Sequence, residues 1–222
     1  MAGNASSSEL LVLLHSLYEF WTSAAGNTPL EWVAVLTGLA CVWLAAKESI
    51  WNFPVAIFSC ALFVVVYHRV HLYADQGLQV FFIAMSVYGW YEWLYGGARK
   101  TELPVSRTRL VEWAWLVLVA VGFTVAYGYY LHHYTDDSVP YWDSFTTAGS
   151  LVAQYQLTRK RLENWLLWIM VDVIYVPILW YKHLYSVSGL YAVYLVLAIY
   201  GYFEWRKTMR KEQLAAQSAV AN

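Results

Sequence analysis

The chain contains two copies of one pattern: residues 52–93 align with residues 164–205 at a constant offset of 112. The alignment pairs Asn52 with Asn164, His71-Leu72-Tyr73 with His183-Leu184-Tyr185, Gly77-Leu78 with Gly189-Leu190, Tyr88-Gly89 with Tyr200-Gly201, and Glu92-Trp93 with Glu204-Trp205. Two apolar segments share Leu and Val by chance, but chance does not put Asn, His, Gly, Glu and Trp into one frame. The fold must therefore accommodate a duplicated unit. Duplicated membrane units are characteristic of transporters, with the solute held between the halves.

Composition places both copies in a bilayer. The 222 residues are 60% hydrophobic, 18% aromatic and 13% charged, against about 25% charged in an ordinary soluble domain. Apolar runs between charged or Pro/Gly-bearing breaks predict seven spans, at 31–47, 51–68, 72–95, 111–131, 142–158, 164–181 and 184–206. Ahead of them, Glu9 to Trp21 reads as an amphipathic interfacial helix too short to cross. Residues 47–50 and 68–71 are tight connections that force neighbouring helices to run antiparallel, whereas 96–110 and 131–141 bracket the fourth span and set it apart from the repeats. The organisation expected is an interfacial segment at 1–29, a first bundle at 30–95, a linker with the fourth span at 96–141, a second bundle at 142–206 and a basic tail at 207–222. No cleavable secretory signal is expected at the N-terminus, and Cys41 and Cys60 both lie in apolar runs where a disulfide framework has no role.

Charge orients this arrangement. Of 14 Lys and Arg, all but Arg69 and Lys182 fall on one side of the seven spans, at Lys47, Arg99, Lys100, Arg107, Arg109, Arg159, Lys160, Arg161, Arg206, Lys207, Arg210 and Lys211. The positive-inside bias predicts a cytoplasmic C-terminus and an external N-terminus, with the basic tail near anionic headgroups. Spans one to three correspond to spans five to seven, four crossings later, so the copies have the same orientation. The fold class expected is all-α and membrane-spanning: seven helices, with two parallel three-helix repeats joined by a linker helix in a 3+1+3 order.

Polar side chains are costly in hydrocarbon and usually face a bundle interior or a water-filled path. Asn164, Trp168, Asp172 and Tyr175 form one helical stripe in the sixth span, and Asp143, Thr147, Ser150 and Gln154 form another in the fifth. Gln79, Ser86 and Trp90 line the third span, and Asn52, Ser59 and Tyr67 lie on the second. Ser and Thr in membrane helices also bond their own backbone or glue neighbours together, a reading that applies to Ser59, Ser86, Thr146 and Thr147. Trp51, Trp93, Trp142, Trp165, Trp180 and Trp205 near span ends read as interface belts. The candidate substrate-binding set is Asn52, Gln79, Ser86, Trp90, Thr147, Ser150, Gln154, Asn164, Trp168, Asp172 and Tyr175.

These residues exclude several chemistries. There is no phosphate-binding Gly-rich loop, nucleophile elbow or His-Glu-x-x-His helix, so neither catalysis nor a cofactor is expected. The histidines lie by loops without metal-ligand spacing, and a net charge of −1 offers nucleic acid nothing. Indoles, phenols and amides with few charges suit a flat heteroaromatic ring bearing hydroxyls, stacked on Trp with about 0.5–2 kcal/mol of extra attraction if the ring is cationic. The spans offer no basic residues at depth for a phosphate.

Pro140-Tyr-Trp-Asp-Ser-Phe-Thr-Thr-Ala-Gly-Ser-Leu-Val-Ala-Gln154, Thr158-Arg-Lys-Arg-Leu-Glu-Asn-Trp-Leu-Leu-Trp168 and Val171-Asp-Val-Ile-Tyr-Val176, with Leu72-Tyr-Ala-Asp-Gln-Gly-Leu-Gln79 and Tyr88-Gly-Trp-Tyr-Glu-Trp93, resemble the PnuC family of bacterial nicotinamide riboside transporters over residues 30–207. The resemblance implies a fold like full-length SWEET sugar transporters and a place in the bacterial inner membrane. It also implies facilitated diffusion of unphosphorylated nicotinamide riboside, trapping by a cytoplasmic riboside kinase, and a homotrimer. Related proteins carry thiamine or riboflavin, and a non-transporting membrane subunit is the rival outside transport. At one position the chain departs from the family: Ser59 stands where members often carry Asn.

Overall fold

A computed structural model of the chain describes residues 29–69, 71 and 73–221; the interfacial helix expected at Glu9 to Trp21 lies outside them. The described residues form seven α-helices: α1 Pro29–Ala46, α2 Asn52–Arg69, α3 Tyr73–Tyr95, α4 Leu110–Tyr134, α5 Pro140–Thr158, α6 Asn164–Tyr181 and α7 Tyr185–Ala221. Five of them, α1, α2, α4, α6 and α7, are long and apolar enough to cross a membrane. In α3 and α5, Gln, Asp, Thr and Tyr dilute the apolar run, and α5 shelters that polarity inside the protein, with ten of its 19 residues buried. A polar helix is tolerated at membrane depth when neighbouring helices cover it.

Short connections put sequential helices side by side. α1 packs on α2 and α2 on α3; α5 packs on α6 and α6 on α7; α1 against α7 and α3 against α5 join the two sets. The fourth helix is not set apart as its long flanking connections suggested, because α4 packs along α5. Ser144 donates to the Thr124 carbonyl at 2.7 Å, and Gly128 lets the Tyr141 ring come so close that a Cβ there would meet it at 2.5 Å.

The tight turns repeat at the same offset as the sequence. Glu48 and Lys160 have φ of 55° and 50°, and His71 and His183 have φ of 62° and 59°. This left-handed region costs a side-chain-bearing residue roughly 1–2 kcal/mol. At the first pair of turns a local bond offsets it: Asn52 Nδ2 donates to the Ser49 carbonyl at 2.7 Å and Asn164 Nδ2 to the Arg161 carbonyl at 2.5 Å. His71 and His183 thus sit at equivalent tight turns.

Three of the six tryptophans read as interface belts prove to be core. Trp93, Trp165 and Trp205 are 4%, 2% and 0% exposed, whereas Trp51, Trp142 and Trp180 are exposed. The buried three cluster with Phe53, Leu157, Leu162 and Met209 where the two sets of helices meet. Trp93 Nε1 donates to the Leu157 carbonyl at 3.1 Å, and Trp205 Nε1 donates to the Ala45 carbonyl at 3.0 Å. Each indole thereby reaches from its own copy into the other, and both bonds keep the offset of 112. Proximity to a span end did not distinguish a ring facing lipid from one facing the other half.

The segment between α3 and α4 is strapped over the turn between α5 and α6. Ser106 donates to the Lys160 carbonyl at 3.1 Å and accepts from the Leu162 N–H at 2.9 Å. Thr108 N–H and Oγ1 donate to Glu163 Oε2 at 2.9 and 3.0 Å, and Arg161 reaches Ser106 Oγ and Glu112. α7 continues unbroken past the expected span end at 206, its 37 residues giving a rod of about 55 Å. Met209 on this extension is buried, while Phe203, Arg206, Lys207, Arg210, Lys211 and Leu214 line an outward groove of about 390 Å³.

Candidate transport site

A buried carboxylate and four phenols come within electrostatic reach of one another from α2, α6 and α7. Asp172 on α6 is 3% exposed and lies within electrostatic reach of Tyr191 and Tyr194 on α7. Tyr191 meets the ring of Tyr175 edge-on at 4.8 Å and that of Tyr194 at 5.7 Å, with Tyr67 of α2 also in its field. From α1, Gly38 leaves room for Tyr194: a Cβ there would lie 2.7 Å from its hydroxyl. Glycine at 38 permits that approach. Helices α1, α2, α6 and α7, and hence both copies, converge on one aromatic region that holds Asp172, with the Asp75 and Asp143 carboxylates also in the field of Tyr175. Such a region can stack a flat ring and accept hydrogen bonds from hydroxyls.

The basic end beyond this region carries a latch between the copies. Arg159 pairs with Glu92 at 2.8 Å and Lys47 with Glu204 at 3.8 Å. Arg159 also donates to Tyr88 Oη at 3.2 Å, while Lys47 sits 4.9 Å from the centre of the Tyr200 ring. Every member has its equivalent 112 residues away, so the two triads are counterparts. Glu48 and Lys160 are themselves equivalents and pair with each other at 3.0 Å, with side chains only 17% and 12% exposed. A pair formed between two equivalent positions lies between the copies by construction. Lys160 also stands 5.0 Å from the centre of the Trp93 ring.

At the opposite end Lys182 joins Asp137 at 3.0 Å and also contacts Asp143. Burial opposes the charge of Lys182, but its hydrogen bonds to Asp143 and Asp137 outweigh that and hold the ammonium above its ordinary value. Burial likewise opposes the charge of Asp137, and hydrogen bonds with Asp143, Lys182 and the Val139 N–H hold its carboxyl below the usual range.

The sequence-derived candidates separate on this frame. Asp172 and Tyr175 belong to the central region. Gln154 is buried on α5, Gln79 is half-buried on α3, and Trp90 is 39% exposed. Trp168 is partly buried and packs against the tryptophan core. Asn52 and Asn164 brace turns at the basic end, as described above. Thr147 and Ser150 bond backward to the Asp143 and Thr146 carbonyls at 2.8 and 2.9 Å, the pattern that commonly satisfies hydroxyls in membrane helices. Ser86 is buried with no hydrogen-bond partner for Oγ among the described residues. Ser59 glues α2 to α1 through the Ala34 carbonyl at 2.9 Å. Tyr191 and Tyr194 were missed. They sit three residues apart on α7, a spacing that marks one helical face, but tyrosine is so abundant here, at 19 residues, that the pair carried no signal.

The family described as "Nicotinamide mononucleotide transporter" matches residues 28–207. The nicotinamide riboside transporter PnuC of Escherichia coli (strain K12) is 32% identical, over 87% of this chain and 93% of the relative. The chain belongs to the PnuC family. The chain is also similar to a riboflavin/roseoflavin transporter, RibM of Streptomyces davaonensis (strain DSM 101723 / JCM 4913 / KCC S-0913 / 768), 31% identical over 94% of this chain and 95% of the relative. The crystal structure of the vitamin B3 transporter PnuC superimposes with a TM-score of 0.66 at 26% identity, covering 91% of this chain and 92% of that one. Like those relatives, this PnuC-family chain is a multi-pass membrane protein and a vitamin transporter, as the resemblance implied, and not an enzyme.

Proposed function

We propose that the protein is a uniporter that carries unphosphorylated nicotinamide riboside inward across a bacterial inner membrane. The solute lies between two parallel three-helix repeats in a 3+1+3 arrangement, with the C-terminus in the cytoplasm. The observation that carries this reading is the convergence of α1, α2, α6 and α7 on Asp172, Tyr67, Tyr175, Tyr191 and Tyr194, in a chain whose relatives include transporters named for this solute. Asp172 complements the cationic pyridinium ring and the phenols supply faces and hydroxyls for it and the ribose. Trp168 and Trp90 flank the nicotinamide, and Gln79, Gln154 and Asn164 serve its polar groups.

Three further observations support parts of the reading. The paired turns, indole bonds and ion triads that recur at an offset of 112 favour two copies in the same orientation. Every Lys and Arg lies at a helix end, in a connection, or on α7 from residue 206 onward, past the expected span, which disfavours a phosphate at depth and hence favours the riboside over the mononucleotide. The latch at the basic end favours a gate on the side that the charge bias makes cytoplasmic, where a riboside kinase would trap the product. The basic groove on α7 faces anionic headgroups there, and three copies form the working assembly.

Purified protein in liposomes should equilibrate labelled nicotinamide riboside without a gradient. Accumulation that requires a proton or sodium gradient would exclude uniport. Riboflavin is the second reading, favoured by the RibM relative; excess riboflavin abolishing riboside uptake, with labelled riboflavin entering faster, would establish it instead.

A further inference from the structure

The duplication supplies an internal control for polar groups that the fold does not need. Gln156 is fully buried, and both its Oε1 and its Nε2 lack a hydrogen-bond partner among the described residues. The same holds for Trp165 Nε1, in a ring 2% exposed, and for Asn164 Oδ1 in a residue 0% exposed. All four atoms belong to one short stretch around the α5–α6 turn. Arg161 ties it together, its N–H donating to the Gln156 carbonyl at 2.9 Å and its carbonyl accepting from Asn164 Nδ2. Gln156 lies on the α5 stripe with Gly149 and Val152, and at Gly149 that stripe touches Met170 and Val171 of α6.

The equivalent positions of the first copy are Leu44 for Gln156 and Phe53 for Trp165. There the backbone is the same: the Ser49 N–H donates to the Leu44 carbonyl at 2.9 Å, as Arg161 does to Gln156. Phe53 meets Trp93 edge-on at 4.9 Å, as Trp165 meets Trp205 at 5.4 Å. One scaffold is thus built once with apolar side chains and once with an amide and an indole N–H. An unpaired buried polar group destabilises the fold by its uncompensated desolvation, whereas an apolar group of similar shape does not. Leu44 and Phe53 show that the scaffold does without those groups, so their cost in the second copy requires a function.

We infer that Gln156 and Trp165 form a hydrogen-bonding subsite of the transport path, present in the second copy only, that takes the uncharged polar groups of the solute, a carboxamide or hydroxyls, on its way to the basic end. The chemistry fits that ligand class: the amide of Gln156 offers donor and acceptor, the indole of Trp165 donates, and neither group carries a charge for a phosphate. In the described conformation the Glu48–Lys160 pair and the strap at Ser106 close over this turn. The subsite is therefore exposed when the latch opens, and serves release toward the basic side. This inference rests on the proposed transport reading.

The test transplants the first copy's residues into the second. Wild type, the Gln156→Leu/Trp165→Phe double variant and the near-isosteric Gln156→Met single variant are reconstituted, and labelled nicotinamide riboside and riboflavin uptake is measured beside the melting temperature. The expected result is about a tenfold loss of kcat/KM for the carried solute, with a melting temperature equal to wild type or higher. If the double variant fails to fold, Gln156→Met decides alone. A folded variant whose uptake stays within about threefold of wild type overturns the inference, since the polar atoms then serve a structural water only. Wild-type protein that carries neither solute overturns the transport reading itself and the subsite with it, an outcome recognisable because it needs no variant.

Discussion

Asp172 is the residue on which the transport reading turns, because it is a buried carboxylate whose company is aromatic rather than cationic. Asp172→Asn keeps the side-chain volume and removes the charge. Riboside uptake is expected to fall at least about tenfold while the melting temperature holds or rises, because the buried charge no longer has to be desolvated. Unchanged uptake by the Asn variant would place the cationic ring elsewhere. Asn52 and Asn164 teach the opposite lesson. Both looked like candidates at depth, and both spend an amide nitrogen on a carbonyl three residues back. Asn52→Ala should therefore lower the melting temperature through its strained turn, by about 1 kcal/mol in stability, before it touches affinity.

Helix contacts are decided by where side chains are missing. Gly201 faces the edge of the Trp165 ring, and an added Cβ would stand 2.6 Å from it; Gly89 faces Phe53 and Thr158 at 2.6 and 2.9 Å. Gly201→Ala is expected to destabilise by about 1–3 kcal/mol through overpacking, read as a lower melting temperature in detergent. The same change at Gly122, which has open space around it, should leave that temperature unchanged. The latch sorts by geometry in the same way. A double-mutant cycle on Glu92–Arg159, at 2.8 Å, should give a coupling of about 1 kcal/mol. Glu204–Lys47, at 3.8 Å between more exposed side chains, should give less. Equal couplings would mean that the two triads are not held as the distances indicate.

For the molecule as a whole, the ends differ in charge chemistry. The basic end is closed by ion pairs between copies, whereas at the other end Lys182 binds Asp143 of its own copy and Asp137 of the α4–α5 connection. The pH dependence follows from Lys182 and Asp137. The folded value of Asp137 is depressed, so its contribution is present above the unfolded carboxylate value near 3.8 and is lost as pH falls through the lower folded value. Lys182 is raised, so its contribution is present below the unfolded value near 10.5 and is lost as pH climbs through the higher folded one. Between these limits neither Lys182 nor Asp137 gives stability a slope. Lys182→Met should lower the melting temperature within that window, because it leaves two carboxylates facing each other. A variant with the wild-type profile would show that the cluster contributes nothing to the fold.

Much of this was legible in the residues alone. The offset of 112 announced the duplication, the apolar runs placed all seven helices, and Pro140 to Val176 with Leu72 to Trp93 carried the family. These are properties of local order, read from period, run length and motif. Tertiary structure alone decided which aromatic rings face lipid and which face the other half, that α4 lies along α5, and that Tyr191 and Tyr194 come within electrostatic reach of Asp172. The physical reason is that in a bilayer an apolar side chain is equally at home against lipid or protein. Hydrophobicity therefore stops distinguishing inside from outside, and only the contacts of assembled helices restore the difference.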